Sequence, residues 1–259
     1  MTDIFFSIIT PTYNRVNQLS KSINSVFTQT FNDYELIIID DASTDDTLIL
    51  LNQYSKHFKF ITLVNKINLG VNKSKNLGSE IARGKYLIFL DSDDEFKDID
   101  TLSNIYNIVS FNNSPPLLMF AVVDNLNGLL LHKNELNGFY HYKKFYQEKF
   151  LYESLPVVNR EIFLSYKFLE NIQGGEGLTW KLICKFYSFI YISNSVSRIY
   201  DNNSTDRLSY KSNDNIIRIK NVLIQDIKIF FIDYMRYNPI LFLKILSKIS
   251  YYKIKSIIN

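Results

Sequence analysis

One short segment, an apolar run that ends in acidic residues, does most to limit what this chain can fold into. Residues 86–90 are all apolar, Asp91 follows them directly, and Asp93 and Asp94 come next after Ser92. An unbroken apolar run of this length is typical of a parallel strand that is covered on both faces. Ligands of open α/β sheets bind beyond the carboxyl ends of the strands, where carboxylates at this spacing can share one hard divalent cation. A solvated, helix-capping turn is the alternative, and it explains a single Asp better than three.

The part of the chain before this segment repeats the pattern of strand and helix. Apolar runs predict strands at 5–10, 34–39 and 58–64, and Pro11 should stop the first of them. Helical spacing follows each strand, and the last of these helices is predicted over 71–83. A βαβ series of this kind implies a parallel sheet with right-handed crossovers.

The second predicted strand also ends in acids, Asp40 and Asp41, and Ser43 or Thr44 should cap the helix after it. Because the carboxyl ends of parallel strands meet at one edge of a sheet, these acids should lie near Asp93. A nucleotide suits that edge: Asp41 can accept a hydrogen bond from a base, and a metal held by Asp93 can neutralise a diphosphate and assist its departure. The loop after the first strand would line the base and ribose, although it has no glycine-rich phosphate cradle.

Beyond residue 100 the pattern is less regular. The sequence predicts strands at 117–123 and 189–192, a turn at 125–128 leading to a hairpin strand at 129–132, and helices at 161–169 and 178–187. A glycine-rich loop, residues 173–177, contains Glu176. Glu176 is either the base that a displacement reaction needs or a helix-start carboxylate stabilised by the helix dipole, and the residues alone leave both open.

Length and composition exclude several classes of protein. A chain of 259 residues with 46% hydrophobic and 21% charged residues can bury a sizeable core. The single cysteine, Cys184, excludes an intramolecular disulfide and a thiolate zinc cluster. The first residues lack the pattern of a secretion signal, and no apolar stretch is long enough to span a membrane. We therefore expect a cytoplasmic protein.

Positive charge is concentrated at the end of the chain. Residues 211–259 contain nine Lys or Arg and three Asp. Two amphipathic helices are predicted there, at 215–235 and 239–258, and the second has lysines opposite its apolar face. This helix can pack on the preceding domain, or it can lie on an anionic membrane and bind the lipid head groups through its lysines.

Several motifs together resemble the inverting family 2 glycosyltransferases of the GT-A fold. They are Ser-Ile-Ile-Thr-Pro-Thr-Tyr-Asn-Arg (7–15), Ser-Val-Phe-Thr-Gln-Thr-Phe-Asn-Asp-Tyr-Glu-Leu-Ile-Ile-Ile-Asp-Asp-Ala-Ser-Thr-Asp (25–45), Asn-Leu-Gly (68–70), Lys-Asn-Leu-Gly (75–78), Ala-Arg-Gly-Lys-Tyr (82–86) and Leu-Asp-Ser-Asp-Asp (90–94). The resemblance implies an α/β fold with a mostly parallel central sheet flanked by helices and a C-terminal helical extension. It also implies a nucleotide-sugar donor, usually a UDP-sugar, bound with Mn²⁺ or Mg²⁺.

The resemblance also suggests which residues bind the donor. Those that would flank the nucleotide are Pro11, Thr12, Tyr13 and Arg15, with Asp41 at the base and Lys75 on the phosphate side. Asp91 and Asp93 would form the Asp-x-Asp motif at the ribose and the metal, with Ser92 between them and Asp94 as a neighbour.

Two positions depart from the pattern of the family. Lys75 stands where members commonly have Arg, so a cation remains but bidentate binding of phosphate is lost. Glu176 is followed by glycine where many members have Asp, and we assign the base to Glu176.

Trp180 could form a wall for a sugar, although a lone Trp is more often a core residue. Arg198 and Arg207 lie where members close over the diphosphate or the acceptor, and a solvated loop is the alternative for each.

These features predict an enzyme that transfers a hexosyl or N-acetylhexosaminyl unit to a saccharide or lipid-linked oligosaccharide, in capsule, O-antigen or lipooligosaccharide synthesis. Residues 1–210 would be the catalytic domain, with a donor half (1–100) and an acceptor half (101–210). The tail, 211–259, would hold it at the inner face of the cytoplasmic membrane. A sugar nucleotidyltransferase and a non-catalytic binding subunit are the alternatives. Without a recognisable reading motif, nucleic acid is not an expected partner.

Overall fold

The computed structural model describes residues 4–131, 137–146, 153–201 and 212–258. Along the chain, the strands and helices are β1 (Phe6–Thr12), α1 (Val16–Phe27), β2 (Tyr34–Asp40), α2 (Thr47–Tyr54), β3 (Phe60–Val64), α3 (Val71–Ile81), β4 (Tyr86–Phe89), β5 (Glu95–Phe96), α4 (Thr101–Phe111), β6 (Leu117–Asp124), β7 (Gly138–His141), a 3₁₀ turn (Tyr142–Tyr146), β8 (Leu155–Asn159), α5 (Arg160–Ser165), α6 (Glu176–Tyr187), β9 (Phe189–Tyr200), α7 (Ser212–Tyr237) and α8 (Pro239–Ile258).

The strands of the described residues form one sheet in the order β3-β2-β1-β4-β8-β6-β9-β5, and β7 pairs with β9. The first four strands are parallel, as predicted. β8 then lies antiparallel to both β4 and β6. The sheet is therefore more mixed than the predicted mostly parallel one, because a strand from the second half of the chain enters next to β4.

Helices cover both faces of the sheet, which explains why its central strands are apolar without interruption. In β1, Ile8 belongs to one hydrophobic core cluster and Ile9 to the other. The same alternation assigns Ile38 of β2 to the first cluster and Ile37 to the second. Each of these side chains is completely buried, and burial of such a side chain contributes roughly 1.5–3 kcal/mol. Packing on two faces thus fixes the strands whose ends carry the site.

The prediction that Pro11 ends the first strand is wrong. β1 continues to Thr12, and Pro11 pairs with Ile39 of β2. Its ring nitrogen faces the β4 side, because the carbonyl of Ile9 accepts from Leu90 there and alternate residues of a strand face the same neighbour. The β4 ladder has already ended at Phe89, so a residue without an N–H loses no hydrogen bond at this position.

The predicted cap of the second helix is also wrong. Ser43 and Thr44 instead bind Asn14 of the neighbouring loop, through the Ser43 hydroxyl at 2.9 Å and the Thr44 N–H at 2.7 Å. α2 begins later, at Thr47, whose N–H donates to Asp45 at 3.0 Å. Ser43 and Thr44 therefore link two loops and do not cap α2.

Three elements of the second half have different ends from those predicted. The helix predicted over 161–169 ends at Ser165, because Asn76 captures the backbone N–H and carbonyl of Phe168. The strand predicted over 189–192 continues to Tyr200, because its backbone pairs with both β6 and β5. The predicted hairpin is represented by one antiparallel bridge between Val123 and Leu130, and its end at His132 lies outside the described residues.

The C-terminal helices pack on the rest of the protein. The face of α8 that the sequence analysis identified as apolar is turned inward: Ile245 is buried in the core, and Leu241, Phe242 and Ile249 pack against it. Phe242 meets Phe231 of α7 edge-on, with ring centroids 5.4 Å apart. Among the described helices, none combines the length and the apolar character that a membrane crossing needs. The domain boundary predicted at residue 210 lies outside the described residues.

Candidate active site

The loops that follow β1 and β2 are tied to each other at the carboxyl edge of the sheet. Asn14, in the left-handed region with φ 52°, donates its N–H to Ser43 and accepts from Thr44. The next residue, Arg15, lies 2.8 Å from Asp93, through Nη1 and Oδ2. Arg15 therefore links the first loop to the acid turn, as we call residues 91–94.

The acid turn contains more negative charge than Arg15 alone neutralises. Asp94 N–H donates to the Asp91 carbonyl at 3.0 Å, which closes the turn and brings its carboxylates together. Burial and the nearby Asp91 carboxylate raise the pKa of Asp93, although Arg15 opposes them. A further positive charge would relieve this repulsion.

Lys75 joins the acid turn to the glycine loop, residues 173–177. Its ammonium lies 2.9 Å from Asp91 Oδ1 and 3.5 Å from Glu176 Oε1. Lys75 itself is buried, but the side chains of Asp91 and Glu176 keep 42% and 30% of their surface exposed. Burial alone would lower the pKa of Lys75, and the two carboxylates outweigh it, so the pKa is raised. A protonated lysine thus lies between an acid of the predicted Asp-x-Asp motif and the predicted base.

The glycine loop is held in place by α3, the helix that carries Lys75. One turn before Lys75, the buried Asn72 amide donates to the carbonyls of Leu169, Ile172 and Gly174 at 2.8–3.1 Å. Gly174 and Gly175 both have positive φ, 70° and 81°, which a side chain would make unfavourable. α6 then begins at Glu176, whose carboxylate lies in the first turn of the helix.

Asn72 and Asn76 are site-building residues that the sequence analysis missed. Both are buried, and they flank Lys75 on the same face of α3. A polar stripe at helical spacing within a buried helix was the available signal, because buried amides require partners. The partners lie in a distant loop, so their identity could not be predicted.

Asp41 has different contacts from those predicted. It is 3% exposed, and its carboxylate accepts from the Asn65 side chain and from the backbone N–H groups of Leu69 and Gly70, each at 2.8 Å. These bonds use both carboxylate oxygens and help to shape the β3–α3 loop. In this structure the Asp41 carboxylate faces the β3–α3 loop, and its predicted contact with a base stays a prediction.

The residues around the first loop differ in exposure. Pro11 and Thr12 are buried at the end of β1, and Tyr13 is 45% exposed. The Thr12 hydroxyl is buried and has no hydrogen-bond partner among the described residues. Ser92 is buried within the acid turn.

The predicted acceptor-side residues lie mostly away from the opening of the site. Arg198 is 3% exposed, beneath the acid turn, where it pairs with Asp94 at 3.0 Å and with Glu153. Trp180 is buried and packs its ring against Phe89, Phe163 and Phe168. The prediction that Trp180 forms a sugar wall is therefore wrong, since core packing occupies its faces. Arg207 lies outside the described residues.

A cavity of about 260 Å³ opens beside Asp93, next to Glu95 of β5 and Ile199 of β9. Its lining is mostly polar and comprises Asn17, Gln18, Lys21, Asp93, Glu95, Asn125, Ile199 and Asp201. The cavity gives a polar group room next to the carboxylates.

The carboxylates fit a divalent cation only in combination with a ligand. Among the residues that the structure describes, no three His, Cys, Asp or Glu side chains form a metal cage. Asp91 and Asp93 provide two carboxylates, and a hard cation bound to so few protein oxygens takes the others from substrate phosphates and water. The Asp91 side chain is 42% exposed, so a cation and a phosphate can reach it.

Comparison with known proteins gives this arrangement a context. The sequence profile described as "Glycosyl transferase family 2" matches residues 7–167. The GalNAc(5)-diNAcBac-PP-undecaprenol β-1,3-glucosyltransferase of Campylobacter jejuni is 31% identical over 222 residues, which are 82% of this chain and 70% of that protein. Six further bacterial glycosyltransferases, from Rickettsia, Escherichia coli and Bacillus, match over 34–42% of this chain. The matched part spans only 14–36% of their own lengths.

Solved structures share the fold. Staphylococcus aureus TarS 1-349 in complex with UDP-GlcNAc superposes with a TM-score of 0.69 at 19% identity, covering 85% of this chain and 66% of that one. The mannosyltransferase PcManGT from Pyrobaculum calidifontis in complex with GDP-Man and Mn²⁺ gives 0.66 at 14% identity, covering 86% and 64%. At these identities the likeness establishes the fold, and the predicted GT-A architecture is confirmed.

Proposed function

The chain belongs to glycosyl transferase family 2, and on that premise we propose that it transfers a sugar from a UDP-sugar to a hydroxyl of a saccharide acceptor, with inversion at the anomeric carbon. The transferred unit is a hexosyl or N-acetylhexosaminyl group. One observation carries the proposal: Lys75 lies 2.9 Å from Asp91 and 3.5 Å from Glu176. A candidate donor-binding acid and a candidate base thus share one partly open cluster.

The donor would lie along the carboxyl edge of the sheet. Thr12 and Tyr13 would border the nucleotide, and Arg15 would keep the Asp93 carboxylate in place from the same loop. Asp41 would act indirectly, by holding the β3–α3 loop that borders the base. Lys75 is charged and faces the acid turn, so it can meet the phosphates as they approach.

Asp91 and Asp93 would hold Mn²⁺ or Mg²⁺ together with the donor diphosphate. The cation would supply charge neutralisation to the departing diphosphate. Arg15 and Lys75 already contact these two carboxylates, so they would keep them oriented before and after the donor binds.

Glu176 would accept the proton of the acceptor hydroxyl as its oxygen attacks the anomeric carbon and the bond to the diphosphate breaks. Its side chain is partly exposed, so an acceptor can reach it. The Lys75 ammonium, 3.5 Å from Glu176 Oε1, would help to orient the carboxylate toward the acceptor. A base in this role contributes about 10²–10⁴-fold to a rate.

The acceptor we propose is a lipid-linked oligosaccharide of a bacterial surface polysaccharide. The Campylobacter jejuni relative is named for an undecaprenol-linked substrate, and the outer face of α8 suits a membrane surface. Four apolar side chains on that face are 56–65% exposed: Ile240, Leu243, Tyr251 and Ile254. A row of exposed lysines runs beside them, at 244, 248 and 255. Such a face can enter the head-group region of an anionic bilayer.

A donor screen tests the proposed reaction. UDP-, GDP- and dTDP-sugars are added with and without Mn²⁺, and thermal stabilisation and donor hydrolysis are measured. We expect metal-dependent stabilisation by a UDP-sugar that Asp93→Asn abolishes. Glu80→Gln is the matched control, because Glu80 is an exposed carboxylate whose ion pair with Lys167 lies away from the site.

Two outcomes would contradict the proposal. Formation of a UDP-sugar from UTP and a sugar phosphate would identify a nucleotidyltransferase. Binding without any turnover, in the presence of saccharide acceptors, would identify a binding subunit.

Vesicle sedimentation tests the membrane contact separately. Leu243→Gln with Ile254→Gln should release the enzyme from phosphatidylglycerol vesicles, whereas Phe58→Gln, at an 85% exposed position elsewhere, should not. Equal sedimentation of both variants, or equal binding to phosphatidylcholine, would refute an anionic docking face.

A further inference from the structure

The helix that carries Glu176, α6, has no side-chain cap at its N-terminus. α6 follows two residues with positive φ, and its N-cap residue, Gly175, has no side chain to bind the first N–H groups. Asn72 fixes the carbonyl of Gly174, and therefore the position of the loop. The direction of the α6 axis, which decides where the Glu176 carboxylate points, has to be set further along the helix.

The C-terminal helix α7 supplies that second fixed point. Lys181, on α6, extends its ammonium to Asp226 of α7 at 2.9 Å and to the Tyr234 hydroxyl at 3.1 Å. Lys185, one turn later, pairs with Asp233 at 2.8 Å. Two charged contacts on consecutive turns hold α6 against α7 at a defined rotation.

Aromatic rings enclose the Lys181 ammonium. The ring centroids of Tyr146, Phe230 and Tyr234 lie 4.2–4.4 Å from it. Phe230 is completely buried and has non-helical φ and ψ, so α7 bends where its ring meets the lysine. The contact of Lys181 with α7 therefore lies in the core, at the bend of α7, and is not a surface ion pair.

α7 also closes directly on the glycine loop. A Cβ added to Gly174 would lie 3.3 Å from Arg218 Nη1, and one added to Gly175 would lie 3.3 Å from Val222 Cγ2. The same helix thus borders the loop before Glu176 and holds the helix after it.

We propose that Lys181 is a positioning residue for the transfer reaction, because by fixing α6 on α7 it sets the direction of the Glu176 carboxylate. The C-terminal helices are then part of the catalytic machinery in addition to any contact with a membrane. This inference rests on the proposed role of Glu176 as the base. A misplacement of about 1 Å in a reacting group can cost about 10²-fold in rate, so a small rotation of α6 is sufficient.

The test separates positioning from stability. Lys181→Met is assayed with a water-soluble acceptor, well below its Tm, and compared with Ile105→Ala, a fully buried α4 residue in the other core cluster that should lower Tm as well. We expect kcat of Lys181→Met to fall about 10- to 100-fold with donor KM nearly unchanged, and kcat of Ile105→Ala to stay near that of the wild type. Tyr234→Phe, which keeps the ring and removes one contact of Lys181, is the milder variant if Lys181→Met does not fold, and its kcat should fall severalfold.

The decisive measurement is a double-mutant cycle. In a Glu176→Gln background the Lys181 substitution, or Tyr234→Phe, should lower kcat no further, because a residue acting through Glu176 has no effect once the carboxylate is gone. An equal fold-loss in both backgrounds, or an unchanged kcat per folded enzyme, would overturn the inference. Absence of transfer by the wild type would instead refute the proposed function.

Discussion

Two buried lysines, Lys75 and Lys181, are 5% and 7% exposed and each contacts a carboxylate at 2.9 Å. They differ in what surrounds the counter-charges. The carboxylates at Lys75 remain 30–42% exposed, and we call this the open cluster. At Lys181, Asp226 is 13% exposed and aromatic rings surround the ammonium, which makes the enclosed cluster. The same chemical groups thus form the proposed donor site in one place and a fixed contact between helices in the other.

The pKa values of the two lysines shift in opposite directions. Burial lowers the pKa of Lys181, and Asp226 compensates only in part. At Lys75 the carboxylates of Asp91 and Glu176 outweigh burial and raise the pKa. In the open cluster two carboxylates keep the lysine charged, as its proposed role in phosphate binding requires. In the enclosed cluster the lysine has lost its solvation, and its geometry is fixed by close contacts.

The largest effect should follow from a change in the open cluster that alters chemistry and leaves the fold intact. Glu176→Gln removes the base and keeps the size of the side chain. We expect kcat to fall by about 10²–10⁴-fold, since a general base contributes this much. The Tm should stay near the wild-type value because Glu176 is partly exposed. Steady-state kinetics and calorimetry measure the two quantities, and a normal kcat would show that the base lies elsewhere.

Exchange of each lysine for methionine compares the two clusters directly. Lys181→Met leaves Asp226 buried without its cation, and the free energy of unfolding should fall by about 3–5 kcal/mol. Lys75→Met should cost only about 1 kcal/mol, because water can reach Asp91 and Glu176, but it should weaken donor binding. Urea denaturation measures the first quantity and calorimetric titration the second. Similar losses of stability in both variants would remove the distinction between the clusters.

The smallest effect should come from the rim of the enclosed cluster. The side chain of Lys185 is 34% exposed, so Lys185→Met should lower the free energy of unfolding by about 1–2 kcal/mol, less than the change at Lys181. Lys97→Ala is the control, because its pair with Asp98 is exposed on both sides and contributes about 0.5 kcal/mol or less. The same urea experiments rank the losses in free energy of unfolding of Lys181→Met, Lys185→Met and Lys97→Ala. A larger loss for Lys185→Met than for Lys181→Met would show that Lys181 is not the main contact of the enclosed cluster.

The first hundred residues of the fold were the easier part to predict. β2 and β4 were identified to within a residue because each is one continuous apolar run that both sheet faces bury. Acids at the ends of these runs indicated the edge where the site lies. Such signals are local, since they require only neighbouring residues and the alternation of a strand.

The part of the fold after residue 100 could not be predicted in the same way. β8 is inserted antiparallel between β4 and β6, and β9 is extended by pairing with two partners that lie far away in sequence. The inward face of α8 was identified as apolar, but the residues it meets depend on the path of α7. Nothing local in α6 indicates that Lys181 meets Asp226 and not solvent.

The sequence by itself determined the parallel βαβ half, the family and the acids at the strand ends, because all of these follow from periodicity and from motifs within short segments. Only the tertiary structure decided that Asp41 serves a loop, that Arg198 lies beneath the acid turn, and that Lys75 lies between Asp91 and Glu176. The physical reason is that the partner of a charged side chain, and the solvent left around it, are set by chain segments that come together only when the whole sheet and its helices have packed.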